Sequence, residues 1–464
     1  MNRGKPPDMG QGEVGRTLFR LALPSVVSMF FHTLFHLVDT IFIAWLGEAP
    51  LAAMSLTYPV MFAAFALFNG IGVGNTSLVS RSLGAGNERE ASETAQAACQ
   101  LALLVSIPPM VLLDRELSAA FFTLLGGSGP VLAESYGYNT WLVAGFPLMA
   151  MSLVLDSVFR SQGDTVTPMV SMVAGNMLNV LLDPVFIFWL DQGIAGASLA
   201  TFIGRGVSCI YLAWRLKSQC RIRLHWALPG RGFSTRAGLL LRTGLPVSVS
   251  QGSVALGSAL LNRIMSRFGA AALGAWMLGN RVEGLVFLPA FGINGALIPF
   301  IGFNLGKKDV GRIRQAIRAA GATSAVLMVA LGILVYAWPK PILALFRPDP
   351  VVMDLAVASI RASATAYLLA SLDITFWGVF QGAGHAGWGM AAQLVRTVLV
   401  RVPAALWLSG SWGLHGLWWC QPLSVLASFS VSCVLLRHLL RKLDKETAKV
   451  AAPKEPVDNH PGGL

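Results

Sequence analysis

The sequence predicts an all-α polytopic membrane protein, with 12 transmembrane helices in two pseudo-symmetric six-helix lobes. Three observations carry that prediction: an apolar composition, a series of long runs nearly free of charge, and an internal repeat. Of 464 residues, 54% are hydrophobic and only 12% charged, and the mean hydropathy is +0.61. Soluble chains carry about twice that charge, roughly 25%. The composition therefore excludes disorder, a collagen-like repeat and a disulfide scaffold, and argues against an ordinary cytosolic enzyme. At about 20 apolar residues per span, twelve spans consume about 240 residues and leave no sizeable soluble domain.

The apolar runs fall in order at 19–45, 51–80, 93–113, 136–159, 165–190 and 193–214, and then at 236–268, 271–304, 310–338, 352–382, 387–408 and 413–440. In hydrocarbon only helices and closed barrels satisfy the backbone, and these runs are too long for barrel strands. The expected division is a tail at 1–18, a first lobe at 19–214, a basic linker at 215–235, a second lobe at 236–440 and a tail at 441–464. The first run is too long for the apolar core of a cleavable signal peptide. Cys99, Cys209, Cys220, Cys420 and Cys433 are scattered with no CxxC pair, so they suggest neither zinc nor disulfides.

Loop charges set the expected orientation. Arg3, Lys5, Arg16, Arg81 and Arg89 lie on one side, as does the acid-free series Arg215, Lys217, Arg221, Arg223, Arg231 and Arg236. Lys307, Lys308, Arg312, Arg314, Arg437, Arg441 and Lys442 join them. The opposite loops hold little beyond Glu48, Asp114, Arg115, Glu116, Asp191, Lys340, Arg347 and Asp349. The positive-inside bias puts both termini in the cytoplasm, in agreement with an even helix count. A net charge of +12 is then a loop property and implies no nucleic acid. A multi-pass protein of the cell (inner) membrane, monomeric among its lipids, is expected.

The two halves repeat. Arg20 and Leu23-Pro24 recur as Arg242 and Leu245-Pro246, and Gly47, Leu51 and Gly70 recur as Gly269, Leu273 and Gly292. Leu83-Gly84 recurs as Leu305-Gly306, all at a spacing of 222, while Val158-Phe159 and Gly163 match Val379-Phe380 and Gly384 at 221. Six spans per half make the repeats parallel, related by an axis along the membrane normal. Such a repeat implies a cavity between lobes and alternating access. Nothing resembles the filter loop of a channel.

Ionisable residues at membrane depth are costly and mark function. In the first span His32, His36 and Asp39 fall on one helix face, and in the fifth Asn176, Asn179 and Asp183 form a second stripe. Pro184 follows Asp183; its ring displaces the carbonyl of Val180 and removes one helix hydrogen bond. Thr201, early in the sixth span, adds a hydroxyl. Two carboxylates, an amide, a hydroxyl and a freed carbonyl suit a hard cation or protons. Carboxylates taken out of water beside one another bind a proton more firmly than in water. The alternative for each acid is an ion pair with a membrane arginine such as Arg160 or Arg205. The repeat favours function, because Asp39 corresponds to Leu261 and Asp183 to Ala404.

The second half carries Arg263, Arg281, Glu283 and Asp373. Glu283 is read either as cavity lining or as the partner of Arg263 or another basic neighbour, and Asp373 as cavity lining. Asp156 is expected to pair with Arg160 one turn later. His32 and His36 are spaced like metal ligands, but no HExxH is present, so polar cavity lining is the reading and no metal site is assigned. The Gly-rich junctions at Leu83-Gly84-Ala85-Gly86 and Leu305-Gly306-Lys307-Lys308 lack GxxxxGK[ST] and do not bind ATP in that manner.

Over nearly its whole length the chain resembles the multidrug and toxic compound extrusion (MATE) family, in its prokaryotic form. The resemblance is carried by Leu-Val-Asp-Thr-Ile-Phe-Ile-Ala-Trp-Leu-Gly at 37–47 and Leu-Gly-Ala-Gly-Asn-Glu-Arg-Glu-Ala at 83–91. Gln-Gly-Asp-Thr-Val-Thr-Pro-Met at 162–169, Asn-Val-Leu-Leu-Asp at 179–183, Asn-Arg-Val-Glu at 280–283 and Leu288-Pro289 complete it. The resemblance implies no enzyme and no cofactor. It implies export of small molecules, organic cations above all, against an inward H+ or Na+ gradient. Asp39, Asn179, Asp183 and Thr201 look like the first-lobe cation site, able to hold Na+ transiently, and Pro24 like the hinge of the first helix. Departures from the pattern are Lys307-Lys308 in the second junction and His385 where the first half has Asp164; His32 and His36 lie outside it. A lipid-linked oligosaccharide or other lipid flippase of the same superfamily is the rival reading. It calls for a strongly basic cavity, whereas the intramembrane bases here are roughly balanced by acids.

Overall fold

The computed structural model describes residues 7–224, 229–230 and 232–451, which form helices with short 3-10 and π turns and no strand. Arg3, Lys5 and Arg231 of the basic loops, and the tail past 451, lie outside the described residues. In the first half α1 (Val14–Trp45), α2 (Glu48–Gly84) and α3 (Glu88–Ser106) are followed by a 3-10 turn, Pro108–Leu113, and the short α4 (Arg115–Leu124). The fourth span is a pair, α5 (Pro130–Ala144) and α6 (Phe146–Ser161), bent by 43°. The fifth is α7 (Val166–Pro184), prolonged by a π turn at Val185–Trp189, and the sixth is α8 (Gly193–Gln219).

The second half repeats this order. It runs through α9 (Phe233–Ser266), α10 (Ala270–Val286), α11 (Leu288–Gly306), α12 (Val310–Ala337) and the short α13 (Pro339–Ala344). The tenth span is α14 (Pro350–Ala364) with α15 (Tyr367–Gly382), bent by 56°. Then come α16 (Ala386–Leu394), a π turn at Val395–Val400, and α17 (Arg401–Ala451). Nine stretches, or 11 with the bent pairs, are long and apolar enough to cross a membrane among the described residues. The run Ala386–Lys445 counts as one of these, yet it turns at Gly413 (φ 60°) and supplies two spans, which completes twelve. The counterpart of the continuous α2 is broken between α10 and α11, where Pro289 cannot donate to the preceding turn.

Helix ends differ from the apolar runs because the helices project past the hydrocarbon. α1 starts at Val14, α8 continues to Gln219, α9 starts at Phe233, and α17 runs on to Ala451. The linker between helices is thus shorter than the 215–235 expected, and the last helix extends well into the expected tail.

The repeat is visible in atomic detail. The side chain of Asn87 accepts from the N–H of Glu90 (3.0 Å), and its counterpart Asp309 accepts from that of Arg312 (2.9 Å). Asp164 caps α7 through Val166 and Thr167, whereas its counterpart His385 stacks on Trp388 at 4.5 Å. The halves also grip each other reciprocally. A Cβ on Gly84 would lie 1.9 Å from the carbonyl oxygen of Phe303, and one on Gly306 would lie 2.0 Å from that of Arg81. Only glycine permits this approach. These tight contacts lie toward the end of the bundle that carries the termini. There the chain ahead of α1 is strapped to the second half. Asn304, Lys307 and Arg312 donate to the carbonyls of Met9 (3.1 Å), Gly10 (2.9 Å) and Gly12 (2.9 Å).

Candidate functional site

α1, α7 and α8 pack on one another within the first half and enclose a pocket of about 530 Å³ including its open mouth. His32, His36 and Asp39 from α1, Asn176 and Asn179 from α7, and Thr201 and Arg205 from α8 line it, with Tyr138 of α5. Asp39 lies six residues before the end of α1, about 9 Å along the axis. The site is therefore nearer the end of the bundle opposite the termini.

The carboxylates are the unusual feature. Asp39 is buried, and its Oδ1 has no hydrogen-bond partner among the described residues. Asp183 is fully buried just behind the pocket wall; its Oδ1 accepts from Asn179 Nδ2 at 3.2 Å, and its Oδ2 has no partner among the described residues. The same Asn179 nitrogen donates to Thr201 Oγ1 at 3.3 Å, and that hydroxyl donates to the carbonyl of Ala197 at 3.1 Å. Asn179 thus joins α7 to α8 and bridges the pocket to Asp183. Beside Asp183 the helix is loosened as the proline demands: α7 ends at Pro184 and widens into the π turn, closed by Leu190 N–H on the Val185 carbonyl (2.9 Å).

Neither acid takes the alternative pairing with arginine. Arg160 pairs with Asp156 at 2.7 Å, as the spacing predicted, and reaches Ser25 Oγ at 3.2 Å. Arg205 makes no ion pair or hydrogen bond among the described residues and stands on the pocket wall. Sequence reading passed over Arg205 except as a partner for an acid. The signal was present: it lies one turn beyond Thr201, on the same helix face. His32 and His36 stand edge to face at 5.7 Å. Pro24 lies within an α1 that remains helical throughout.

The second-half candidates form a separate cluster. Asp373 is fully buried and accepts from Ser428 and Ser432, each at 2.6 Å. Glu283 does not pair with Arg263, which is exposed; it accepts from Gln421 (2.7 Å), whose other side-chain atom accepts from Arg401. The amide thus relays the ion pair. Neither acid lines the pocket of the first half.

The MatE family pattern matches residues 24–185 and again 246–407. The chain is 25% identical over 414 residues to the probable multidrug resistance protein NorM of Thermotoga maritima, covering 86% of this chain and 88% of that one. It is 26% identical over 438 residues to an FAD transporter of Shewanella oneidensis, covering 94% and 96%. A crystal structure of a MATE protein in the bent conformation superposes with a TM-score of 0.89 at 25% identity, over 96% of this chain and all of that one. With the pattern matched once in each half, across most of its length, this chain belongs to the MatE family of membrane transporters.

Proposed function

We propose that the protein is a secondary active exporter of small amphiphilic molecules, organic cations among them, driven by inward H+ or Na+. Asp39 and Asp183 carry the coupling ion, with Asn179 and Thr201 assisting. The observation that supports this most is a pair of buried carboxylates that each keep one oxygen without a partner. A buried charge left unpaired is expensive. A proton or a sodium ion removes that expense, so the protein's energy depends on whether the ion is present.

In the proposed cycle the ion enters from the side opposite the termini and neutralises the carboxylates. Their demand for water falls, α1 bends at Pro24, where the carbonyl of Arg20 lacks a proline N–H, and the pocket contracts and expels its cargo. Release of the ion on the terminal side restores the negative pocket, which accepts cargo there. Ion and cargo compete for one site, which favours cationic groups. One charge crossing 100 mV supplies about 2.3 kcal/mol, roughly fiftyfold in gradient.

Reconstituted protein tests this by dye efflux under an imposed pH gradient and then an imposed sodium gradient. One gradient should drive efflux by the wild type and neither by Asp39→Asn. Undiminished efflux by Asp39→Asn would overturn the assignment.

A further inference from the structure

The first-half pocket has two storeys. Asp39, Asn179, Asp183 and Thr201 make one. His32, His36, Asn176 and Arg205 make the other, and the helix directions put all four on the same side of the first. His36 and His32 precede Asp39 by three and seven residues on α1, and Asn176 precedes Asp183 by seven on α7. α8 runs the opposite way, and there Arg205 follows Thr201 by four. At 1.5 Å per residue the second storey lies about 5–10 Å nearer the terminal end.

This storey holds no acid. Arg205 faces the pocket and has neither ion pair nor hydrogen bond among the described residues. Beside it the Nδ2 of Asn176 is a buried donor without a partner among the described residues. A second crevice shares Arg205, Thr201, Met61 and Leu142 with the pocket and is walled by Trp141 and Phe202, whose rings lie 5.7 Å apart. An unpaired guanidinium presents a fork of donors shaped for an oxyanion. An adjacent aromatic wall suits a flat ring.

We propose that Arg205, aided by Asn176 and the two histidines, is an acceptor for an acidic group on the cargo. The preferred substrates are then aromatic amphiphiles bearing a carboxylate or phosphate, with any basic group turned toward Asp39. This rests on the transport reading of the pocket for the word cargo, but the recognition it describes is measurable without transport.

Equilibrium binding to the purified full-length protein in detergent tests it. Rhodamine B, which carries a free carboxylate, is compared with its ethyl ester, and riboflavin phosphate with riboflavin. The wild type should bind one or both acids at least about tenfold more tightly than the partner lacking the anion. The first pair reports carboxylate, the second phosphate. Arg205→Gln should erase the preference, and Arg205→Lys, which keeps the charge without the fork, should retain part of it. Equal binding within both pairs by the wild type, or a preference that survives Arg205→Gln, would overturn the proposal. Should Arg205→Gln fail to fold, the wild-type ratios and their decline in Arg205→Lys decide. No efflux by the wild type under either gradient, or undiminished efflux by Asp39→Asn, with the acid preference intact, would refute the coupling reading alone. Intact efflux with no preference would refute this inference alone.

Discussion

The two halves share helices and turns, but the acids of the first-half pocket and those of the second-half cluster are held in opposite ways. In the second, Asp373 has two serine hydroxyls and Glu283 reaches Arg401 through Gln421. In the first, Asp39 and Asp183 each retain an oxygen with no partner, and Arg205 has no counter-ion among the described residues. The positions matching the first-half acids are occupied by Leu261 and Ala404, both buried, so the fold does not need charge there. Unsatisfied charge is a liability for stability and an asset for binding something that comes and goes. The second-half acids are built to be held, the first-half pocket acids to exchange.

Substitutions can break or sharpen that contrast. The largest expected effect is functional: Asp39→Asn should abolish gradient-driven efflux while leaving thermal stability equal or higher, because the burial of an unpaired charge is relieved. Efflux assays and melting curves on one preparation check both halves of this statement. Asp373→Leu should do the reverse. It strands two buried hydroxyls and should cost about 2 kcal/mol in chemical denaturation, with efflux per folded molecule preserved. Gln421→Leu removes the relay between Glu283 and Arg401 and should cost about 1–2 kcal/mol in the same assay. A milder loss than from Asp373→Leu would fit the partial burial of Glu283. The smallest effect concerns the junctions. Lys308 occupies a left-handed conformation (φ 61°) where the first half has Gly86 (φ 76°). Lys308→Gly should stabilise by up to about 1 kcal/mol through relief of backbone strain.

Much of this was legible in the sequence. The 222-residue offset marked Leu83-Gly84 and Leu305-Gly306 as equivalent positions, but not that they meet: the contacts of Gly84 with Phe303 and of Gly306 with Arg81 come from packing between the halves. Pro184 announced the loosened helix, because a missing N–H has a fixed local consequence. Long-range partners were not legible. Nothing local tells Glu283 that Gln421, 138 residues later, intervenes before a cation, and periodicity gave Arg263 equal standing. The place of Arg205 beside the pocket was legible from its spacing to Thr201, but its lack of an acidic partner among the described residues was not, because a membrane arginine defaults to pairing with an acid and only packing shows otherwise. Helix ends were missed because the helices continue through polar and charged residues beyond the apolar runs, as at 14–16 of α1 and 215–219 of α8.

The central claim is that the first-half carboxylates bind the coupling ion. Charge displacement across a supported membrane, after a jump in proton or sodium concentration without cargo, tests it most directly. The wild type and Asp373→Asn should displace charge in response to one of the two ions, and Asp39→Asn and Asp183→Asn should displace none. Equal displacement by all four, or loss confined to Asp373→Asn, would contradict the account.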